Sequence, residues 1–352
     1  MTRLALVMIA RNEARAIGRA LASSRGHVDR MIVLDTGSSD DTVAIAEAAG
    51  AQVHAFTWCD DFAAARNAAL EHSDADWNLI LDADEWLTSD LSALGPDTLG
   101  ANARFLGMVQ VESTTIQSGA LALSRTWIPR VLPKGVRYAG RIHEQPVSDL
   151  PEVRLALRIG HDGYLPEQLA GKAGRNEALL LAEIEASPED GYLWFQLGRE
   201  YDVAGKSAQA AVCLAEALRL TPASAAYRHA LVVRALMAFR SAGKLGEAMA
   251  LADAEIGNWR RSPDFHFVLG DLYLEVAAQD PDRAIAEHLP IVEYAWTQCL
   301  EIGERPDLDG SIAGRGGHMA AHNLAVFYRT LGDPTRATEF EARAAQLRMA
   351  LT

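Results

Sequence analysis

From Leu4 to Leu81 the chain alternates short apolar runs with segments of helical period. No single motif restricts the possible architectures as much as this alternation does. Leu4–Ala10 reads as a buried strand, and Ala14–Ser23 as a helix with Ala16, Ile17, Ala20 and Leu21 on one stripe. Met31–Asp35 is a second strand, Thr42–Ala49 a second helix, Gln52–Phe56 a third strand, Phe62–Glu71 a third helix and Trp77–Leu81 a fourth strand. Such an order predicts a parallel sheet built from βαβ units. After Asp84 the texture changes. Phe105–Glu112, Leu121–Trp127, Arg141–Val147 and Val153–Ile159 read as strands, with Gln117-Ser118-Gly119 as a turn between the first two. The domain is therefore expected to begin as a parallel, nucleotide-binding type of sheet and to end as a mixed one.

From about Gln168 onward nearly every segment has helical period and alanine becomes abundant. In Gly191–Ser224 the residues Trp194, Leu197, Gly198, Tyr201, Ala210, Leu214, Ala217 and Pro222 fall on the positions of the 34-residue tetratricopeptide pattern, with Leu214 replacing the usual aromatic. Weaker units follow around Phe239, Gly243 and Ala248, around Leu269, Gly270 and Tyr273, and around Leu324, Ala325, Tyr328, Gly332 and Ala337. Small residues let paired helices approach, while Trp194 and Tyr201 fill the space between pairs. A length of 352 residues suits two domains. The expected division is 1–165 for the α/β domain and 166–352 for an all-α helical repeat domain.

An apolar share of 49% and a charged share of 23% exclude disorder and fibrous repeats as the main story. With 47 acidic against 33 basic residues the net charge is −14, which repels phosphate backbones and argues against nonspecific nucleic-acid binding. A local basic pocket could still hold one nucleotide. Cys59, Cys213 and Cys299 form no CxxC pair, which excludes a thiolate zinc site and a disulfide framework and suits a reducing compartment. The opening residues lack the order of a secretory leader. No apolar run approaches the roughly 18 residues that span a bilayer. The expectation is a soluble, cytoplasmic protein.

Chemistry concentrates where the expected strands end. Asp82-Ala83-Asp84-Glu85 follows the strand Trp77–Leu81, and ligands in open α/β sheets collect at the carboxyl ends of strands. Two carboxylates one residue apart can offer hard oxygen ligands to one divalent ion, although a solvated acidic loop with Glu85 starting a helix gives the same letters. Asp35-Thr36-Gly37-Ser38-Ser39-Asp40-Asp41-Thr42 follows the second strand. Gly37 permits a sharp turn and Ser39 or Asp40 can cap the next helix. Asp35, at the strand end itself, can accept a hydrogen bond from a nucleobase or a ribose hydroxyl. Ala10-Arg11-Asn12-Glu13 puts a cation and backbone amides beside the same crevice, where they could hold a diphosphate. Arg66, early on the third helix, could reach base or diphosphate or could be an exposed helix charge.

These residues resemble the family 2 glycosyltransferases, which have the GT-A fold. The matching stretches are MIARNEARAIGRAL, VLDTGSSDDTVAIAEAAGA, WCDDFAAARNAAL and WNLILDADEWL, then PRVLPKGVRYAGRIHEQP and HDGYLPEQLAGKAGRNEALL. A GT-A domain followed by tetratricopeptide repeats is the organisation of the sublancin-type peptide S-glycosyltransferase subgroup. The resemblance implies a nucleotide-sugar donor, a divalent cation (Mn²⁺ or Mg²⁺) and inversion by single displacement. It implies that Asp35 and Arg66 read the base, expected to be uracil, that Ala10, Arg11, Asn12, Glu13 and Gly37 line the nucleotide pocket, and that Asp82 and Ala83 address ribose and diphosphate. Asp84 is the expected metal ligand.

Such a transfer needs one base to take the acceptor's proton. Arg141-Ile142-His143-Glu144 carries the candidates, with Glu144 as base and His143 as its neighbour; the reverse assignment stays open, because the Glu-Asp dipeptide of many relatives is missing here. His161, in His161-Asp162-Gly163-Tyr164, is either a further metal ligand or an anchor for the interdomain turn. Trp58, Trp86 and Trp127 could stack on a sugar but are more often packing. The repeats point to a hexosyltransferase acting on a peptide or protein side chain, since superhelical arrays offer long concave surfaces. They could also serve a homodimer. The competing readings are an envelope-glycan transferase of lipopolysaccharide-core type and a catalytically silent scaffold. The intact Asp35, Asp82, Asp84 and Glu144 set argues against the scaffold.

Overall fold

β1 (Leu4–Ala10) is apolar throughout, and its side chains alternate between two cores. Leu4, Leu6, Met8 and Ala10 pack with Ile17 and Leu21 of α1 (Ile17–Ser24) and with Ala46 of α2 (Thr42–Ala48). Ala5 and Val7 pack on the other face with Ala63, Ala65 and Ala69 of α3 (Phe62–Glu71). The period-two geometry of a strand dictates this split, and burial on both faces is what a parallel sheet covered by helices requires. The computed structural model describes residues 2–90, 94–95, 97–100, 102–117, 120–163 and 174–350.

The main sheet runs in the order β3-β2-β1-β4-β7-β6-β10-β5. Here β2 is Arg30–Asp35, β3 Gln52–Ala55, β4 Trp77–Ile80, β5 Glu85–Leu87, β6 Leu106–Gln117, β7 Ala120–Pro133 and β10 Glu152–His161. The first four neighbours are parallel, β7 joins β4 antiparallel, and β5 closes the far edge antiparallel to β10. The expected change from a parallel to a mixed sheet is therefore present. Ala10 pairs in register with Asp35, which brings the ends of β1 and β2 level.

Two local expectations are corrected and one alternative is excluded. α1 begins at Ile17 rather than Ala14, because the backbone N–H groups of Glu13 and Ala14 donate to Thr42 Oγ1 and Asp40 Oδ2 and hold that segment as loop. Glu85 starts strand β5, so the alternative reading in which it opens a helix is excluded. Arg141–Val147 is not one strand. Arg137–Ala139 (β8) and Gln145–Val147 (β9) form a separate antiparallel pair, and Gly140–Glu144 is the bend between them. Gly140 (φ 91°) and His143 (φ 50°) lie in the left-handed region, which extended strands do not use. Ser118 and Gly119 of the expected turn, and the expected division between 165 and 166, lie outside the described residues.

The chain forms two compact units, 1–121 with 126–179 and 122–125 with 180–352. The second holds antiparallel helix pairs: α5 (Gly191–Val203) with α6 (Ser207–Leu220), α7 (Arg228–Ser241) with α8 (Leu245–Trp259), α9 (Pro263–Gln279) with α10 (Leu289–Ile302), and α11 (His318–Thr330) with α12 (Pro334–Met349). These follow α4 (Arg175–Ala186), whose Leu180 and Ile184 are buried. Three of the pairs turn through Gly205, Gly243 and Gly332, all at φ between 70° and 77°. A left-handed glycine ends a helix without strain and lets the partner fold back at once. The α9–α10 pair departs from this, joined by Pro281–Arg283 and a π-helical turn at Ala284–His288. After α10, residues 303–317 are tied to the start of α9. Asp264 accepts from the backbone N–H of Ile312 (2.9 Å) and from the buried Arg315 (3.2 Å).

Among the described residues no helix is long and apolar enough to cross a membrane.

Two helical glycines test the packing with opposite signs. A Cβ at Gly270 would collide with the Trp296 indole nitrogen, whereas one at the exposed Gly257 would meet nothing within 4 Å. Gly270→Ala is expected to cost about 1–3 kcal/mol in chemical denaturation, the ordinary range for overpacking. Gly257→Ala is expected to gain up to about 1 kcal/mol by restricting the unfolded chain.

Candidate active site

The loops that follow β1 and β2 interlock. The carbonyl of Ala10 accepts from Thr36 N (2.9 Å) and Thr36 Oγ1 (3.2 Å). Asn12, at φ 55°, donates its N–H to Ser38 Oγ (2.9 Å) and accepts from Ser39 N through Oδ1 (2.8 Å). Together with Glu13 and Ala14, this engages the very amides expected at a diphosphate with side chains of residues 38–42. Asp40 caps the start of α2 by accepting from Thr42 N (3.0 Å). Asp35 accepts from Gly37 N and Ser38 N at 3.1 Å, closing its own turn around Gly37 at φ 104°. Each carboxylate oxygen carries two lone pairs, so Asp35, half-buried at the strand end, keeps acceptor capacity for an outside donor. Arg11 is exposed beside it. The methyl groups of Ala10 and Ala83 point into the core, which leaves only backbone for ligand contact.

Asp82 is the hub of a charge network at the end of β4. Its carboxylate accepts from Arg66 Nη2 (2.5 Å) and Arg130 Nη2 (2.7 Å), and its backbone N–H donates to Glu85 Oε2 (2.9 Å). Arg130 Nη2 also reaches Glu85 Oε1 (2.5 Å), and Arg66 Nε donates to Glu144 Oε1. Arg66 is buried on α3 and lies 5.5 Å from the Tyr138 ring, so the exposed-charge reading of this residue is excluded. The structure brings Arg66, Asp82 and Glu144 together and sets Asp35 apart from them in a different hydrogen-bond group. Partial burial opposes ionisation of Asp82, yet Arg130 and Arg66 overcome that cost and hold its carboxyl well below the usual range. With 35% of its side-chain surface open, Asp82 owes this shift to the two guanidiniums rather than to a dry interior. Glu85, only 3% exposed, is pushed the other way by burial, with Arg130 pulling against it. Burial also pushes the Tyr138 phenol up to about 12, and its hydroxyl has no hydrogen-bond partner among the described residues.

A second group joins the turn between β4 and β5 to the end of β10 and to β6. Asp84 Oδ2 is 3.6 Å from His161 Nε2, and His161 Nδ1 lies 3.0 Å from Ser113 Oγ. In the tautomer that donates Nδ1–H to the serine, Nε2 turns its lone pair to the Asp84 side; in the other, Nε2–H faces the carboxylate. Gly163 approaches both groups so closely that a Cβ there would collide with His161 Nε2 and stand 2.5 Å from Asp84 Oδ2. A carboxylate oxygen and an imidazole nitrogen this close are ligand types that suit a hard or borderline divalent cation. Among the described residues no group of three or more His, Cys, Asp or Glu side chains is gathered for a metal. Asp162 beside it forks with Arg15 at 3.0 Å, and Arg19, also paired to Asp162, lies 3.5 Å over the Trp86 ring. Trp127 lies under Arg154, and Trp58 donates to Asp60 and packs edge-on to Phe62. All three tryptophans thus have partners within the protein.

Sequence reading missed Arg130, Glu85, Tyr138 and Ser113. Arg130 left one signal, a lone cation between Pro129 and Val131 in an otherwise apolar strand end. Glu85 left none, because its fourth place in an acidic run reads as solvent-facing.

A parallel-to-mixed sheet with acidic residues at the end of β4 is GT-A-like in architecture. Residues 5–94, which lie in the α/β unit, match the glycosyl transferase family 2 model. A TPR repeat-containing protein of Synechococcus elongatus is 36% identical over 212 residues, covering 56% of this chain and 52% of its own length. The SPbeta prophage-derived glycosyltransferase SunS of Bacillus subtilis is 28% identical over 216 residues, 58% of this chain and 50% of its own. The chain spans about half the length of these curated relatives. Among solved structures, glucosyl-3-phosphoglycerate synthase from Mycobacterium tuberculosis, in complex with Mn²⁺, uridine diphosphate and glucosyl-3-phosphoglycerate, is 25% identical over 34% of this chain and 45% of its own, with a TM-score of 0.26.

Removing Arg130 leaves the buried Glu85 without its cation and Asp82 with Arg66 alone. Arg130→Met is expected to cost about 3–5 kcal/mol, as for other broken buried pairs, because Glu85 has nowhere to take its charge. The depressed Asp82 carboxyl contributes stability above its unfolded pKa and loses it as pH falls. The deficit of the variant should therefore be greatest at neutral pH and shrink as pH drops into and below the carboxylate range, which urea melts across pH would read directly.

Proposed function

We propose that this protein is a metal-dependent inverting glycosyltransferase that moves a hexose from a uridine-diphosphate sugar to a peptide or protein side chain. The observation that supports it most is the linkage of Asp82, Arg66 and Glu144 at the end of β4, in a stretch that matches the family 2 model, with Asp84 and His161 3.6 Å apart beside Gly163. Asp84 and His161 would hold a divalent cation, which when bound neutralises charge gathering on the departing diphosphate. Asp35 accepts from the base, and Asp82, kept ionised by Arg66 and Arg130, accepts from the ribose hydroxyls. Glu144 takes the acceptor's proton as the nucleophile attacks from the face opposite the leaving group. Its carboxylate is oriented by Arg66, whereas His143 sits at the strained point of the bend and shapes the approach to it. The acceptor class rests on the helical repeats, whose stacked pairs give a long surface for an extended chain.

Titration calorimetry with UDP, GDP and dTDP, each with and without Mn²⁺, tests the donor. Of the three, only UDP should bind, and only with the cation; Asp84→Ala should erase that cation dependence. Tight binding that ignores Mn²⁺ would remove the metal assignment, and failure of all three nucleotides to bind would remove the donor class.

Glu144→Gln should leave UDP affinity intact and slow transfer by about 10²–10⁴-fold, the usual contribution of a general base. If His143→Ala alone produces that loss, the two roles are reversed.

A further inference from the structure

Glu144 stands on a piece of chain that cannot position itself. β8 and β9 are three residues each and pair only with one another, outside the main sheet. An isolated two-stranded hairpin is marginal in water, so its location must come from what it leans on. It leans on α3. The N–H of Phe62, one of the free donors of the helix's first turn, donates to the carbonyl of Arg141 (2.8 Å). One turn on, Asn67 makes a two-point contact with the backbone of Tyr138: Nδ2 donates to Tyr138 O (2.9 Å), and Oδ1 accepts from Tyr138 N (2.8 Å). A side-chain amide carries donor and acceptor side by side, as a peptide group does, so Asn67 takes the place of a neighbouring strand at the outer edge of β8. Asparagine is a poor helix former, and its place inside α3 asks for a compensating role. The adjacent Arg66 points to Glu144 and Asp82 from the same helix.

We propose that Asn67 is a positioning residue for the transfer: by fixing the Tyr138 backbone it sets, through β8 and the Gly140–Glu144 bend, where the Glu144 carboxylate stands. Arg66 orients that carboxylate, and Asn67 fixes the backbone that carries it. The inference rests on the reading of Glu144 as the base.

The test uses the full chain with Mn²⁺, with UDP-glucose, UDP-galactose and UDP-N-acetylglucosamine as donor probes and water as acceptor. UDP release is measured for wild type, Asn67→Ala, Glu144→Gln and the double variant. Asn67→Ala should lower kcat by about 10²-fold, the scale of a misplacement near 1 Å, with KM for the donor unchanged. In the Glu144→Gln background the same change should cost nothing further, because the two act as one unit. Hydrogen exchange should rise in peptides covering residues 136–148 and not elsewhere in the α/β unit. Asn67→Asp, which keeps the acceptor for Tyr138 N–H but sets an oxygen against its carbonyl, should show the same pattern and serves if the alanine variant does not fold.

An unchanged kcat, a loss that persists in full beside Glu144→Gln, or exchange that rises throughout the unit would overturn the positioning role. Full activity in Glu144→Gln would instead remove the base, and this inference with it. The exchange measurement needs no donor, so it decides the clamp even if none of the three sugars is used.

Discussion

The carboxylate of Asp82 lies between two guanidiniums that arrive from different directions, Arg66 on α3 and Arg130 on β7. Both arginines are buried and a guanidinium cannot shed its proton, so each needs carboxylate partners, and Asp82 is the one they share. The carboxylates in turn hold the cations: Glu85 shares Arg130, and Glu144 shares Arg66. Helix, antiparallel strand, β4 end and the β8–β9 hairpin are thus tied through one alternating row of charge. A row of this kind gives geometry rather than bulk stability. It leaves Asp82 ionised and partly open to solvent, which is the condition for accepting a ligand hydroxyl.

Around this row the sheet supplies distance and level. β1, β2 and β4 are parallel neighbours, so their ends present Ala10, Asp35 and Asp82 along one edge. The loops at β1 and β2 spend most of their hydrogen bonds on each other, which makes a rigid floor but removes amides that a diphosphate would otherwise use. In the helical unit the constraint is steric instead. Gly198 lies against Leu214 and Gly270 against Trp296, each so close that a Cβ would intrude. Large residues on one helix are matched by their absence on the other.

Much of this was legible from letters alone. The strand and helix alternation through Leu81, the mixed continuation, the repeats and the acidic strand ends follow from periodicity, because burying one face leaves a regular mark on sequence. Errors fell where a local pattern was overruled by a neighbour. Ala14–Ala16 has helical composition, yet Asp40 and Thr42 claim the amides just before it. Arg141–Val147 alternates like a strand, yet Gly140 and His143 turn the chain through left-handed backbone. Arg66 reads as an exposed helix charge or a ligand contact, and only the approach of Asp82 and Glu144 shows why it is buried.

Short-range pattern settled the order of elements, the two kinds of architecture and which strand ends carry carboxylates, since these depend on the identity of residues a few places apart. Folding chose who meets whom. Arg66 lies 78 residues from Glu144 and 16 from Asp82, Arg130 lies 45 from Glu85, and Asn67 meets Tyr138 across 71 residues. No periodicity encodes such meetings; they arise when strands fall into register and bring distant charges within hydrogen-bond reach, where pairing or its absence sets the cost of burial.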